Sequence, residues 1–520
     1  MKNLKTYIYL IALVSFSIIS CDSYTDNVDP LTGEVEDELL DDEDQIGLLI
    51  TGLKGFIGST GDQGDGISRL IWRASGYSDE MIHGLIRGGA PDHVSFVQDF
   101  PPDLRFYEGD YESVNIYHFL ADDLVRRINR VDAANPFENT DLKDEGLWWG
   151  NVVSGLSRMY LADLWGAGLS GNNPGAPITS QEQLDNQEYG AFYSSTELHA
   201  QAREKFTAAL GLDPGDVPNP DKVVWSFIAR TYLFDGMYSN AKSAAEQGLQ
   251  QGDETMQTLH DARFPNQMYD QSGRSTSGDF LFTPHPRFIQ YVLDDRKEGE
   301  IISELTQDDI DDGVVSRSLR GIESEDGEPG NIRTSNPRSE LANQNERLPL
   351  WERLIETSAS AIGDDSQWTE FKEGGGYVQD YYTDADDPFD LIDWREVELI
   401  LAEVAIDAGD NITGLGHINN VRAFHSLDPY DMTDMTSYDN PKGGASQEGI
   451  AVKGLLSTNN KYTGPWGLLI EERDKTLWMK GTRLADQKRF DLWHLEGSSF
   501  YKFYMPIPRS ETDVNPNIPD

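Results

Sequence analysis

The densest run of groups able to do chemistry lies near the end of the sequence, where Glu472, Arg473, Arg483, Asp486 and Arg489 set carboxylates beside guanidiniums. Two carboxylates whose surroundings push their pKa values apart can run acid–base or glycosidic chemistry. The same residues can instead form an ion-pair network that ties a helix to the body of the protein. No nucleophile or imidazole base accompanies the block, so the network is the expected role and no catalytic residue is assigned. Paired carboxylates are still the one catalytic device that composition leaves open, because 90 Asp and Glu residues guarantee chance pairs.

Other chemistries find little support. The histidines, at 83, 93, 118, 199, 260, 285, 417, 425 and 494, show no His-x3-His pair of the kind that sets zinc ligands on one helix face. No phosphate-binding Gly-x4-Gly-Lys loop and no Gly-x-Ser-x-Gly elbow occurs. The only cysteine is Cys21, so the rest of the chain has no thiol to act as a nucleophile. Asp384, Asp386 and Asp387 could ligate calcium, but they lack the glycine and terminal glutamate of an EF-hand loop. A solvated turn is expected there, and no metal or cofactor is assigned.

Aromatic residues in polar surroundings are a further resource. Trp72 and Tyr77 occupy one such stretch; Trp351, Trp368, Tyr377, Tyr381 and Tyr382 flank or occupy another. A flat ring suits the apolar face of a sugar, while neighbouring Asp, Asn and Arg side chains can take its hydroxyls. These seven residues are the candidate ligand-binding set.

Such residues need elements to position them. Thr196 can cap a helix in which Leu198, Ala202, Phe206 and Leu210 recur at helical spacing before Gly211. Trp225, Ile228, Ala229 and Tyr232 then lead to Asp235-Gly236, beyond which Ala241, Ala244, Ala245 and Gly248 line a further helix. Large residues on one helix and small ones on the next resemble a tetratricopeptide hairpin. Trp149, Val152, Val153, Leu156, Tyr160 and Leu164 form one more stripe; Trp394, Val397, Leu401, Ala402 and Ala405 form another. Residues 110–131 and 468–480 also read as amphipathic helices. The expected fold is therefore mainly α, a scaffold of tetratricopeptide-like helical hairpins. Long irregular insertions at about 58–110, 166–195, 252–345 and 360–392, rich in Gly, Asp, Asn and Pro, should decorate it and carry function.

Composition bounds the partners. Hydrophobic residues at 38% and aromatics at 10% argue for a folded chain. The 42 basic against 90 acidic residues give a net charge of −48, which would repel nucleic acid. At the N-terminus Lys2 and Lys5 precede an apolar run, Tyr7 to Ile19, too short to span a bilayer and readable as a signal-peptide core. Ile18-Ile19-Ser20-Cys21 resembles the lipobox of bacterial lipoproteins, which would make Cys21 the site of lipid attachment. The segments expected are a signal peptide over 1–20, a lipidated acidic tether over 21–45 and a body over 46–520. The body's N-terminal half holds the hairpins to about 250, and its C-terminal half runs over about 251–520.

Together these features resemble the SusD/RagB family of Bacteroidota outer-membrane lipoproteins, from Cys21 to nearly the end. Ser78-Asp79-Glu80 is similar to its early acidic motif, and Trp149 through Trp165-Gly166 to Pro177 is similar to its helix and turn. Asp393-Trp394-Arg395-Glu396-Val397 through Ala402-Glu403 is similar to its Arg-x-x-Glu-Val-x-Leu-x-x-Ala-Glu helix, and Asn419-Asn420-Val421-Arg422-Ala423 keeps a further block loosely. Glu471-Glu472-Arg473, Gly481 to Asp486, Arg489 to Leu492, Pro506-Ile507-Pro508 and Asn515-Pro516 follow in family order, with Lys480 standing where a glutamate is usual. The resemblance implies a SusD-like, surface-exposed, non-catalytic binder of a glycan or oligosaccharide, anchored in the outer membrane and partnered by a TonB-dependent SusC-like transporter. It also implies that aromatic platforms form the glycan site. The alternatives are a peptide ligand, or a lipid-anchored glycoside hydrolase using paired carboxylates.

Overall fold

The computed structural model describes residues 41–58, 66–78, 80–83, 105–166, 175–261, 264–271, 282–284, 332–333, 350–354, 376–379, 381–382, 384–431, 464–490 and 504–519. The fold is mainly α-helical. Helix α1 (Glu43–Lys54) begins at Asp42, whose carboxylate accepts from the Asp44 N–H, and buries Ile46, Ile50 and Leu53. Helix α2 spans Ile67–Tyr77, α3 spans Arg105–Ala134 and α4 spans Thr140–Tyr160. Helices α3 and α4 lie close together because Gly150 has no side chain. A Cβ there would sit 2.6 Å from Val125 Cγ2 and 3.1 Å from the Ala121 carbonyl.

The hairpin region follows the sequence closely. Helix α6 (Ser195–Ala209), which comes after the short α5 (Gln181–Asp185), starts at a capping box in which Ser194 and Glu197 exchange hydrogen bonds. The cap is thus Ser194 and not Thr196, because Glu197 at the third helical position selects the residue three before it. Helices α7 (Pro220–Phe234) and α8 (Tyr238–Ala245) meet at Asp235-Gly236, where Gly236 takes φ +68°. Phe206 of α6 stacks on Phe227 of α7, with centroids 5.4 Å apart. Trp225 is only half-buried and packs at the margin; the rings filling the hairpin are Phe206 and Phe227.

In the C-terminal half, α10 (Trp394–Asp407) and α11 (Asn411–Phe424) form a second hairpin about Gly409, and α12 (Pro465–Thr476) and α13 (Arg483–Phe490) close on it. The short helices α9 (Gln267–Gln271) and α14 (Arg509–Thr512) are also present among the described residues. The strands are few. β1 (Met81–His83) pairs with β4 (Phe282–Pro284), β2 (Gly175–Ile178) with β3 (Ala191–Ser194), and β6 (Leu350–Leu354) with β5 (Ile332–Arg333) and β7 (Gly376–Gln379), all antiparallel. Where they are described, the four insertions therefore carry helices and strands of their own.

Buried ion pairs join the halves. Arg230 of α7 donates to both carboxylate oxygens of Glu396 on α10, each at 2.6 Å, and to the Leu391 carbonyl at 3.0 Å. Arg489 pairs with Glu403 and with Asp486, and Asp486 also takes two bonds from Arg473, at 2.8 and 3.0 Å. Burial alone would raise the Asp486 carboxyl, but Arg473 and Arg489 hold it below the usual range. Glu80 accepts from the Met479 N–H at 3.0 Å, so the early acidic motif is bound to the C-terminal block. The block read as a network is one.

The C-terminal segment also secures the end of α4, which unwinds through a π turn at Leu161–Trp165. Lys488 donates to the carbonyls of Asp163 and Gly166, Met505 N–H to Leu164, and Trp165 Nε1 to Pro506. Helix-terminal carbonyls that lack an intrahelical partner are thereby satisfied.

Candidate functional site

Segment 255–259 runs beside 389–392. Thr258 N–H donates to the Phe389 carbonyl, Leu391 N–H to Met256, and Gln257 Nε2 to Asp390 Oδ1 at 2.9 Å. Above this floor opens a cleft of about 690 Å³. One wall is the start of α10 with the end of α11. Trp394 and Phe424 meet edge to face, 5.3 Å apart at 82°, and Phe424 is 48% exposed. The opposite wall carries Asp216, Val217, Pro218, Asp253 and Glu254.

The wall at α10 is held rigid by its cap. Asp393 Oδ1 accepts from the N–H groups of Arg395 and Glu396, and Oδ2 accepts from the Arg395 guanidinium. Burial would raise the Asp393 carboxyl, but Arg395 and then Lys480 bring it down to about 2. Arg395 lies 5.6 Å from the Phe424 ring and hydrogen-bonds with Tyr381. On the other side, Lys54 reaches Asp216 at 3.1 Å and Lys222 reaches Asp253 at 2.7 Å. The cleft thus offers an exposed ring face, fixed carboxylates as hydrogen-bond acceptors and a guanidinium as donor. That combination suits a polyhydroxylated ligand, whose C–H faces pack on rings while its hydroxyls bond to charged groups.

The structure separates the candidate aromatic set. Trp72 is 4% exposed on α2, with Arg73 stacked on it at 4.4 Å, so it is a core residue and not part of a platform. The reason is local: α2 turns Ile67, Leu70, Ile71 and Ala74 inward at helical spacing, and Arg69 and Arg73 anchor it to Asp110 at 2.6 and 2.9 Å. Tyr382 is 2% exposed, enclosed by Tyr381 and Phe389, and is likewise core. Half-buried Tyr381 reaches the cleft wall through Arg395. Tyr77 ends α2, while Trp351 and Tyr377 sit in the β6–β7 pairing opposite Val378 and Glu352. The Tyr77, Trp351 and Tyr377 side chains, and Trp368 and Cys21 entirely, lie outside the described residues.

Phe424 and Trp394 were not singled out as ligand residues in the sequence. A signal for them existed in Asp393, an N-cap that fixes where α10 starts and so where Trp394 must sit. Asp384 and Asp387 close a turn on backbone N–H groups, at 2.7 to 2.9 Å. Among the described residues, no group of three or more His, Cys, Asp or Glu side chains is placed to hold a metal ion.

Neither a protein-family model nor a curated relative matches the sequence. Solved structures do. A SusD superfamily protein from Bacteroides vulgatus is 15% identical, with a TM-score of 0.59 over 92% of this chain and 98% of that one. A SusD superfamily protein from Bacteroides thetaiotaomicron is 16% identical, with a TM-score of 0.58 over 92% and 99%. A SusD-like carbohydrate binding protein from Bacteroides fragilis is 14% identical, with a TM-score of 0.57 over 92% and 99%.

Proposed function

We propose that this chain, which has the SusD-like fold, is a non-catalytic surface lipoprotein that captures a glycan and delivers it to a TonB-dependent SusC-like transporter in the outer membrane. The observation that carries the reading is the cleft at the start of α10, where an exposed phenyl ring stands beside fixed carboxylates and a guanidinium. The description of the Bacteroides fragilis neighbour as carbohydrate binding agrees with it. Asp393 is a poor general acid for hydrolysis in this cleft. A glycosidic general acid needs a carboxyl held protonated near neutral pH, whereas Asp393 is pulled down to about 2, against the effect of its burial, by Arg395 and Lys480.

A glycan array probed with the 22–520 fragment tests the reading. Saturable binding to one glycan class without release of reducing sugar is expected. Binding to none, or steady release of reducing ends, would overturn it. The anchor has its own test. No helix among the described residues is long and apolar enough to cross a membrane. Cys21→Ala should therefore move the protein from washed outer membranes to the soluble fraction. Retention of the variant in the washed membranes would contradict the lipid anchor.

A further inference from the structure

The charged side chains lining the cleft are Asp216, Asp253, Glu254, Asp390, Asp393 and Arg395. Its walls are largely neutralised from within the protein. Asp216 takes the ammonium of Lys54 at 3.1 Å, and the two oxygens of Asp253 take that of Lys222, at 2.9 and 2.7 Å. The one lining cation, Arg395, is held by Asp393, with Nε on Oδ2 at 3.1 Å. Lys480 adds a cation near Asp393, but it is buried and does not line the cleft.

Two lining carboxylates stand apart from these pairs. Asp390 Oδ1 accepts from the uncharged amide of Gln257 at 2.9 Å, and among the described residues Asp390 has no ion pair. Glu254 is exposed and bonds through its main chain, where its carbonyl accepts from the Asn219 amide at 2.9 Å. A carboxylate has room for several hydrogen bonds, so both can accept from a hydroxyl without giving up a partner.

This arrangement decides what charge a ligand can carry. An acidic group that reaches for Arg395 must take it from Asp393, a buried carboxylate that would then lose its guanidinium. The same group meets Asp390 and Glu254 as like charges, and like charges brought together at an interface are strongly disfavoured. A hydroxyl meets neither obstacle, and its bond to a carboxylate is charge-assisted. Taking the glycan reading of this cleft as its basis, we propose that the ligand is a glycan free of uronate and sulfate groups, with Asp390 and Glu254 accepting its hydroxyls.

Calorimetric titration of the full chain tests the assignment, using the best neutral glycan of the array and the same glycan oxidised at C6 to the uronate. The oxidised form should bind at least about tenfold more weakly at low salt, and the deficit should shrink severalfold in about 0.5 M NaCl, because salt screens charge repulsion and not a steric clash. Asp390→Asn combined with Glu254→Gln should move the two ligands in opposite directions. The neutral glycan should weaken by about fivefold as its bonds lose their charge assistance, and the oxidised form should tighten by about fivefold as the repulsion goes. Glu254→Gln alone, at an exposed position, should show the same opposed shifts in smaller measure with an unchanged melting temperature. Equal affinity for the two forms, a deficit indifferent to salt, or variants in which both ligands weaken alike overturns the proposal. An acidic glycan as the best array hit, its binding lost in Phe424→Ala, overturns it too and leaves the glycan reading standing, whereas binding to no glycan overturns that reading itself.

Discussion

Arg230→Ala should destabilise the fold by about 3–5 kcal/mol, the effect expected when one partner of a fully buried pair is removed and the other stays charged. Arg230 and Glu396 are both 2% exposed and joined by two parallel bonds of 2.6 Å across the α7–α10 contact, and Arg230 also caps the Leu391 carbonyl. Glu396→Ala should cost a similar amount, because it strands the guanidinium. Replacing both, as Arg230→Met with Glu396→Leu, should recover most of the loss, since no buried charge is then left uncompensated. Chemical denaturation of the three variants checks this. Single variants within about 0.5 kcal/mol of the parent would show that the contact between the halves does not depend on this pair.

A pH effect of comparable size is expected at His199. The imidazole is 2% exposed and lies between Asp235, 2.7 Å from Nδ1, and Asp163, 3.0 Å from Nε2. Burial would lower its pKa, but the two carboxylates outweigh burial and raise it to about 9. The folded pKa lies above the unfolded value of about 6.5. The stabilisation is thus fully present below that pH and is lost as pH rises through about 9, a swing on the order of 3 kcal/mol. Lys488 opposes this trend. Burial pushes its ammonium down to about 7, so its contribution is present above the unfolded lysine value and lost as pH falls through about 7. The difference between the parent and His199→Gln isolates the histidine: the parent should lose its advantage between about pH 6.5 and 9. An advantage independent of pH would show that His199 is not charged in the fold.

The sequence made the helical scaffold legible because its signals are local. Asp235-Gly236 and Gly409 mark turns, and apolar residues repeat at helical spacing. The terminal ion-pair block was legible for a different reason: charge at that density without a base or nucleophile has a structural use. Trp225 of the predicted stripe lies at the margin because a single stripe picks one face, whereas α7 is packed on several sides and buries Val223, Val224 and Phe227 as well. Trp72 was misplaced because glycines and polar residues precede α2, so an eleven-residue buried helix read as part of a loop. The cleft had no local pattern to reveal it. Its floor joins Gln257 to Asp390, 133 positions apart, and its exposed ring, Phe424, is the last residue of a helix.

The central claim is that the cleft beside α10 holds a glycan by stacking and hydrogen bonding without catalysis. Titration of the best array glycan into the parent and Phe424→Ala tests this most directly, because Phe424 is 48% exposed and its loss should spare the core. The account predicts affinity weakened by about 1 kcal/mol or more, about fivefold or more, with an unchanged unfolding midpoint. Equal affinity in both proteins would contradict it and place the glycan elsewhere on the molecule.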